Sequence, residues 1–168
     1  MGLKRLKYLH SEELREEGFK AIGKNVMIHE EVNIVHPQNI SIADNVRIDP
    51  YVSIIANAPV SIGSYVHIGA YCYLSARSNI DIADFGNLSQ SVCIYTASDD
   101  YTGKTLTNPT VPEGMSDTHI APVSLERHVI IGSGSIIMPG CSLGEGSAVG
   151  ALSMVKNSLE PWGIYAGI

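Results

Sequence analysis

Along most of this chain an aliphatic residue returns every six positions, and no other feature narrows the possible folds as far. Ile62-Gly63-Ser64-Tyr65-Val66-His67 is followed by Ile68-Gly69-Ala70-Tyr71-Cys72-Tyr73, then by Leu74-Ser75-Ala76-Arg77-Ser78-Asn79. Each unit opens with an aliphatic residue and places a small or β-branched one four positions on. The remaining positions are polar, Gly or turn formers. A fixed internal period marks a repeat architecture.

A longer period lies on top. Ile22, Ile42, Ile62 and Ile82 are twenty apart; so are Ile28, Ile48, Ile68 and Leu88, and Ile34, Ile54, Leu74 and Ile94. Three hexads plus two residues at one corner (Ile40-Ser41, Val60-Ser61, Ile80-Asp81) account for that repeat. The chain is therefore expected to complete a triangular coil every three hexads and to stack equivalent aliphatic residues in columns. One hexad cannot bury its apolar face, but stacked coils can. Leu125, Ile131, Ile137, Leu143, Val149 and Val155 continue the six-residue spacing after an interruption. The fold class is all-β, a parallel β-helix, with Gly, Asn and Asp at the tight corners.

Three segments depart from the repeat. Ser11 to Gly18 reads as a short helix with a Ser cap, an acidic first turn and a Gly stop, covering the open end of the core. Residues 99–122 form a long insertion, of the kind that is functional or disordered. The tail from Leu159 leaves the repeat near the last coil. This divides the chain into a cap, 1–21, and a β-helix domain, 22–168.

The net charge of −6 and the lack of a Lys/Arg stripe argue against nucleic acid as a partner. No apolar run is long enough for a membrane helix, and no secretory pattern is present, so a cytoplasmic location is expected. Cys72, Cys93 and Cys141 lack metal-ligand or CxxC spacing and read as reduced thiols, two of them at inward small-residue positions.

The hexads Ile131-Gly132-Ser133-Gly134-Ser135-Ile136-Ile137-Met138-Pro139-Gly140 and Val149-Gly150-Ala151-Leu152-Ser153-Met154-Val155-Lys156 resemble those of the hexapeptide-repeat acyltransferases. The likeness covers roughly residues 20 to 168 and is closest to sugar O-acetyltransferases, the galactoside, maltose and surface-polysaccharide enzymes among them. It implies a left-handed coil, a homotrimer with active sites between subunits, acetyl-CoA as acyl donor and a sugar hydroxyl as acceptor. Two alternatives stay open: N-acetylation of a nucleotide-linked amino sugar, and a non-catalytic trimeric scaffold or binding module.

Acyl transfer to a hydroxyl needs a base, oxyanion donors and alignment of the two substrates. In the galactoside-type enzymes a His-Pro pair opens the insertion and supplies that base; aligned by hexads, Asp99 stands in its place. The substitute bases are His67, in an outward position one coil below Asn87 and oriented by Asp99 or Asp100, and His119 near the end of the insertion. The plain alternative for His67 is a solvated corner residue. Asn87, Asp100, Tyr101 and Asn108 are acceptor-binding candidates, with the two acids otherwise serving as turn caps. By repeat register, Gly132, Ser133, Gly150, Ala151 and Ser153 face the pantetheine arm, although any coil of this kind uses such small residues. Lys156 is a candidate for a coenzyme A phosphate, or a solvated lysine, and Trp162 for stacking on adenine or covering the core. No metal is expected: the carbonic anhydrases of this fold need a histidine pair five residues apart, and none occurs.

Overall fold

In the computed structural model, which describes residues 7–167, the chain winds into a left-handed parallel β-helix of about seven turns. Residues 1–6 of the expected cap, and residue 168, lie outside the described residues. Three sheets form the walls, one of eight strands and two of six. The three columns expected from the twenty-residue period each run the full height. Ile22, Ile42, Ile62, Ile82, Leu125 and Leu143 stack in one six-stranded sheet. Ile28, Ile48, Ile68, Leu88, Ile131 and Val149 stack in the eight-stranded sheet. Ile34, Ile54, Leu74, Ile94, Ile137 and Val155 stack in the other. Apart from half-buried Ile22 and Ile34 at the N-terminal end, these residues are buried. Each contributes roughly 1.5–3 kcal/mol by leaving water.

The two extra residues per coil are not a corner loop. They lengthen the strands Ile40–Ile42, Val60–Ile62 and Ile80–Ile82, and they add a fourth inward column of Ile40, Val60, Ile80 and Val123. The corners also differ from expectation. Positive φ angles fall on Asn25 and Asn45, but equally on Tyr51, Tyr65, Tyr71, Phe85, His128 and Trp162. A side chain in this region costs about 1–2 kcal/mol. Stacking offsets the strain: ring centroids lie 5.0 Å apart for Tyr51 and Tyr71, 5.2 Å for Tyr65 and Phe85, and 4.9 Å for Phe85 and His128.

The N-terminal helix is shorter than expected, Ser11–Leu14, with His10 as its cap; the His10 amide donates to the Glu13 carboxylate at 2.8 Å. Ser11 is buried inside the helix, and its hydroxyl instead accepts from the Val26 amide at 2.8 Å. Leu14, 2% exposed, plugs the open end of the core, and Gly18 ends the following turn at φ 78°. The strand Tyr8–His10 then pairs antiparallel with Met27–His29, giving the eight-stranded sheet its one reversed edge. Among the described residues no helix is long and apolar enough to cross a membrane.

The repeat breaks two residues earlier than the sequence suggests. Ala97–Asp99 and Thr118–Ile120 form an antiparallel hairpin standing off the coil, and it carries the insertion. Thr96, fully buried, roots it. Its hydroxyl accepts from the Arg77 and Ser78 amides at 2.7 and 2.9 Å and donates to the Ser75 carbonyl at 3.0 Å.

Candidate active site

Strand alternation points every second residue of the eight-stranded sheet outward. Arg47, His67 and Asn87 follow one another in one such row, as the period requires. His67 Nδ1 lies 3.1 Å from Asn87 Oδ1, and Nε2 lies 2.9 Å from Asp49 Oδ2. Asp49 also accepts from Arg47 Nε at 2.7 Å and from the Tyr8 hydroxyl at 2.9 Å, while Arg47 reaches Tyr8 at 3.0 Å. Burial works against the Asp49 carboxylate, but the hydrogen bonds from His67, Arg47 and Tyr8 outweigh it and hold the group below the usual range. Burial and the Asp49 carboxylate push the Tyr8 hydroxyl up.

The sequence reading has Asp99 or Asp100 orient His67. In the structure the orienting carboxylate is Asp49, two residues after Arg47 and 18 before His67 in the chain. The 20-residue repeat places it one coil down and one outward position along, a neighbour visible in the register once the period is known. Both His67 nitrogens are engaged, Nε2 by Asp49 and Nδ1 by Asn87.

Asp99 lies elsewhere, on the hairpin beyond the next corner. It is exposed, and Thr118 donates to it at 3.4 Å. His119 stands across from Ser98 on the partner strand. Asp99, Tyr101 and His119 share the wall of a hollow of about 470 Å³. A larger cleft of about 930 Å³ runs between the loop and the outer face of the six-stranded sheet, with Asp99, Arg77 and Tyr95 on its wall. Asp100 is taken up by the loop: it accepts from the amides of Thr102, Lys104 and Thr105 at 2.7, 3.1 and 3.2 Å. Hydrogen bonds from Thr102 above all lower its pKa. Asn108 likewise accepts from the Thr110 amide and hydroxyl. These two side chains shape the insertion, whereas Tyr101 projects into solvent, 92% exposed. The structure thus groups Asp99, Tyr101 and His119, and sets His67 and Asn87 on a different face.

The second outward row of the eight-stranded sheet holds Asp49, Gly69, Ser89, Gly132, Gly150 and Ala166. Above Ser89 this row carries nothing larger than a methyl group. That leaves a bare strip along the C-terminal coils, against which an extended chain can lie. Close approach between coils dictates Gly132, where an added Cβ would meet the Ala151 amide at 2.5 Å. Ser153 is 4% exposed and spends its hydroxyl on the Gly150 carbonyl and the Gly167 amide, so it holds the corner instead of lining the surface. Ser133 donates to Gln90 at 3.2 Å; Ala151 and Lys156 are open to solvent. Trp162 crowns an aromatic column, stacked on His128 at 6.4 Å, and so belongs to the ladder above Tyr65 and Phe85. Among the described residues no three His, Cys, Asp or Glu side chains are grouped to hold a metal.

No protein-family model matches the chain. It is 38% identical over 162 residues, 96% of this chain and 84% of the relative, to a dTDP-4-amino-4,6-dideoxy-D-glucose acyltransferase of Escherichia coli. It superposes with a TM-score of 0.92 on the N-acyltransferase AntD of Bacillus cereus in complex with dTDP and coenzyme A, at 44% identity, covering 96% of this chain and 87% of that one. AntD with dTDP and 3-hydroxybutyryl-CoA gives a TM-score of 0.90 at 45% identity, covering 95% and 85%. The AntD structures include variants with an aspartate replaced and variants with a serine, ten residues earlier, replaced. A maltose O-acetyltransferase of Clostridium difficile shares the fold alone, with a TM-score of 0.60 at 22% identity over 93% of this chain and 69% of that one. With such identity along nearly its whole length, the chain belongs to the hexapeptide-repeat acyltransferases and is an enzyme, a sugar acyltransferase.

Proposed function

We propose that this enzyme transfers an acyl group from an acyl-CoA to the amine of a dTDP-linked amino sugar, with Asp99 as the proton acceptor and Ser89 positioning the amine. The observation that carries the reading is Asp99 itself, a carboxylate standing where the hydroxyl-acylating relatives have a histidine. A sugar hydroxyl gives up its proton less readily to a carboxylate than to an imidazole base. An attacking amine is different: its nitrogen gains positive charge as the new bond forms, and it sheds a proton readily to a carboxylate. This favours N-transfer over the sugar-hydroxyl reading of the sequence. It also removes the need for an imidazole base, consistent with the occupied ring of His67. His119 lines the same hollow as Asp99, while His67 and Asn87 brace Asp49 and Arg47.

Ser89 and Asp99 support the reading a second way. They are the one Ser–Asp pair ten residues apart in this chain, the spacing of the two positions replaced in the AntD variants. Ser89 lies on the eight-stranded sheet and Asp99 on the hairpin past the next corner, so one copy does not close a site around both. A homotrimer, in which one copy's hairpin reaches its neighbour's sheet, joins them. When bound, the donor thioester supplies the electrophilic acyl carbon. The bare strip of Gly132, Gly150 and Ala166 fits its extended arm, with Ser133, Ala151 and Lys156 at the open edge.

The test is a panel of acceptors with acyl-CoA, read by thiol release. dTDP-4-amino-4,6-dideoxyglucose should be acylated at its amine, and hydroxyl-only sugars should not. Asp99→Asn should lower kcat by about 10²–10⁴-fold with an unchanged melting temperature. Acylation of a neutral sugar at a comparable rate, or an Asp99→Asn enzyme within threefold of wild type, overturns the reading.

A further inference from the structure

One corner of the coil carries a strained, exposed leucine that the repeat does not require. The corner lies between the eight-stranded sheet and the six-stranded sheet that holds Ile94. Its column reads Tyr51, Tyr71, Ser91, Gly134 and Leu152, all at positive φ. Amides bonded one coil down keep the column in line: Tyr71 to the Pro50 carbonyl, Ser91 to Ala70, Gly134 to Gln90 and Leu152 to Ser133. Tyr51 and Tyr71 stack on each other, and Gly134 has no side chain. Leu152 has neither feature. Its φ is 56°, it is 81% exposed, and its side chain lies over Gly134. Such a backbone costs a leucine about 1–2 kcal/mol, and its apolar surface recovers nothing while it stays in water.

The complementary shape is the cleft of about 930 Å³ beneath the hairpin. Its floor is the outward row Ile136, Met138 and Met154, half-buried, where the matching row of the other six-stranded sheet has Ser124 and Ser142. Asp99 stands on its wall. Leu152 lies two residues before Met154 in the same coil, so ridge and notch stand at one height. Ser89 lies two residues before Ser91, on the eight-stranded side of the ridge. From this complementarity we infer that the corner of one copy seats in the cleft of the next, with Leu152 on the Ile136, Met138 and Met154 floor, and that this contact sets Ser89 of one copy under Asp99 of the other. The inference rests on the proposed pairing of Ser89 with Asp99. A corner inserted between floor and hairpin turns its eight-stranded sheet toward the hairpin, and that is the face bearing Ser89. Two floors packed against each other would leave Ser89 and Asp99 apart. Ridge into notch is a head-to-tail contact, which closes into a ring when the rotation permits. Triangular coils around a threefold axis make one such contact, and one complete site, per copy. Unbranched, polarisable Met side chains suit a floor that must mould to an inserted ridge.

The experiment reads sedimentation velocity and amino-sugar acylation on the intact protein. Wild type should sediment as a trimer. Leu152→Asp keeps the corner, because aspartate tolerates positive φ, and its far-UV circular dichroism should not change. It should dissociate to monomers at micromolar concentration and lose about 100-fold or more in kcat/KM. Leu152→Met should stay trimeric and within about threefold of wild type. Ser89→Ala and Asp99→Asn, each impaired alone, should together regain about a quarter of wild-type activity when dissociated and reassembled in equal amounts, since random assembly restores about one intact pair in four. A trimeric Leu152→Asp, a monomeric Leu152→Asp with wild-type kcat/KM, or a reassembled mixture no more active than its components overturns the inference, while amine acylation by wild type still supports the proposed function. If wild type acylates no amino sugar, the proposed function fails, and sedimentation of the Leu152 variants still decides whether this corner holds the copies together.

Discussion

Replacing Thr96 by Val tests how the insertion is rooted. Val is nearly isosteric, so the inward packing survives and only the hydroxyl is lost. That hydroxyl accepts from two backbone amides, Arg77 and Ser78, that have no other acceptor among the described residues. The Ser75 carbonyl to which it donates keeps a second bond, from the Thr96 amide at 3.1 Å. The cost is therefore that of two stranded amides, roughly 1–3 kcal/mol each, for a loss of about 2–6 kcal/mol. Thr96→Ser keeps the hydroxyl and deletes one buried methyl group, about 1 kcal/mol. Urea unfolding followed by far-UV circular dichroism measures both, compared at equal m values. The larger loss should come with Val. The Thr96 backbone carbonyl accepts the Ala121 amide at 3.0 Å and closes the base of the hairpin; the Val variant keeps that bond but strands the amides beneath it, so it should lose activity as Asp99 shifts. A Val variant as stable as Ser, or within about 0.5 kcal/mol of wild type, would refute this account of the junction.

Other expectations follow from single contacts. The Asp49 carboxyl is held low in the folded protein, so its ionised form contributes stability above the unfolded value near ~4, which is lost as pH falls through the folded value. Thermal melts from pH 7 down to about pH 3 should show a steeper acid loss for wild type than for Asp49→Asn. Burial pushes the Cys72 thiol up to about 12 and raises that of Cys141, and both are 2% exposed or less. Under native conditions at pH 8 a thiol reagent should label Cys93 alone among the three, with the others reacting only on unfolding. Gly146 sits at φ 67° beneath the Trp162 ring, which an added Cβ would strike. Gly146→Ala should displace the single Trp, visible as a red shift and broadened emission, and should lower stability by about 1 kcal/mol or more.

Much of the fold was legible in the residues because the repeat is local and nearly regular. A six-residue period states which residue points inward, and a twenty-residue period states which residues meet one coil up. From these follow the three aliphatic columns, the inward Cys72 and Cys141, and the pairing of His67 with Asn87. Register alone did not disclose how the corners are made. Tyr, Phe, His and Trp occupy positive-φ positions that local rules assign to Gly or Asn, because partners twenty or more residues away stack on them.

For the site, the sequence located the place where the repeat stops and named Asp99 as standing in for a histidine. It assigned the wrong carboxylate to His67, since Asp49, Arg47 and Tyr8 converge only when two coils and the N-terminal strand are laid side by side. It also drew Asp100 and Asn108 toward substrate, whereas the folded loop uses both to satisfy its own amides. The residue pattern thus determines the scaffold, because each coil repeats the same short-range burial problem. Only the tertiary structure decides which polar side chains are spent on holding the chain and which stay free, because that depends on contacts the period does not encode.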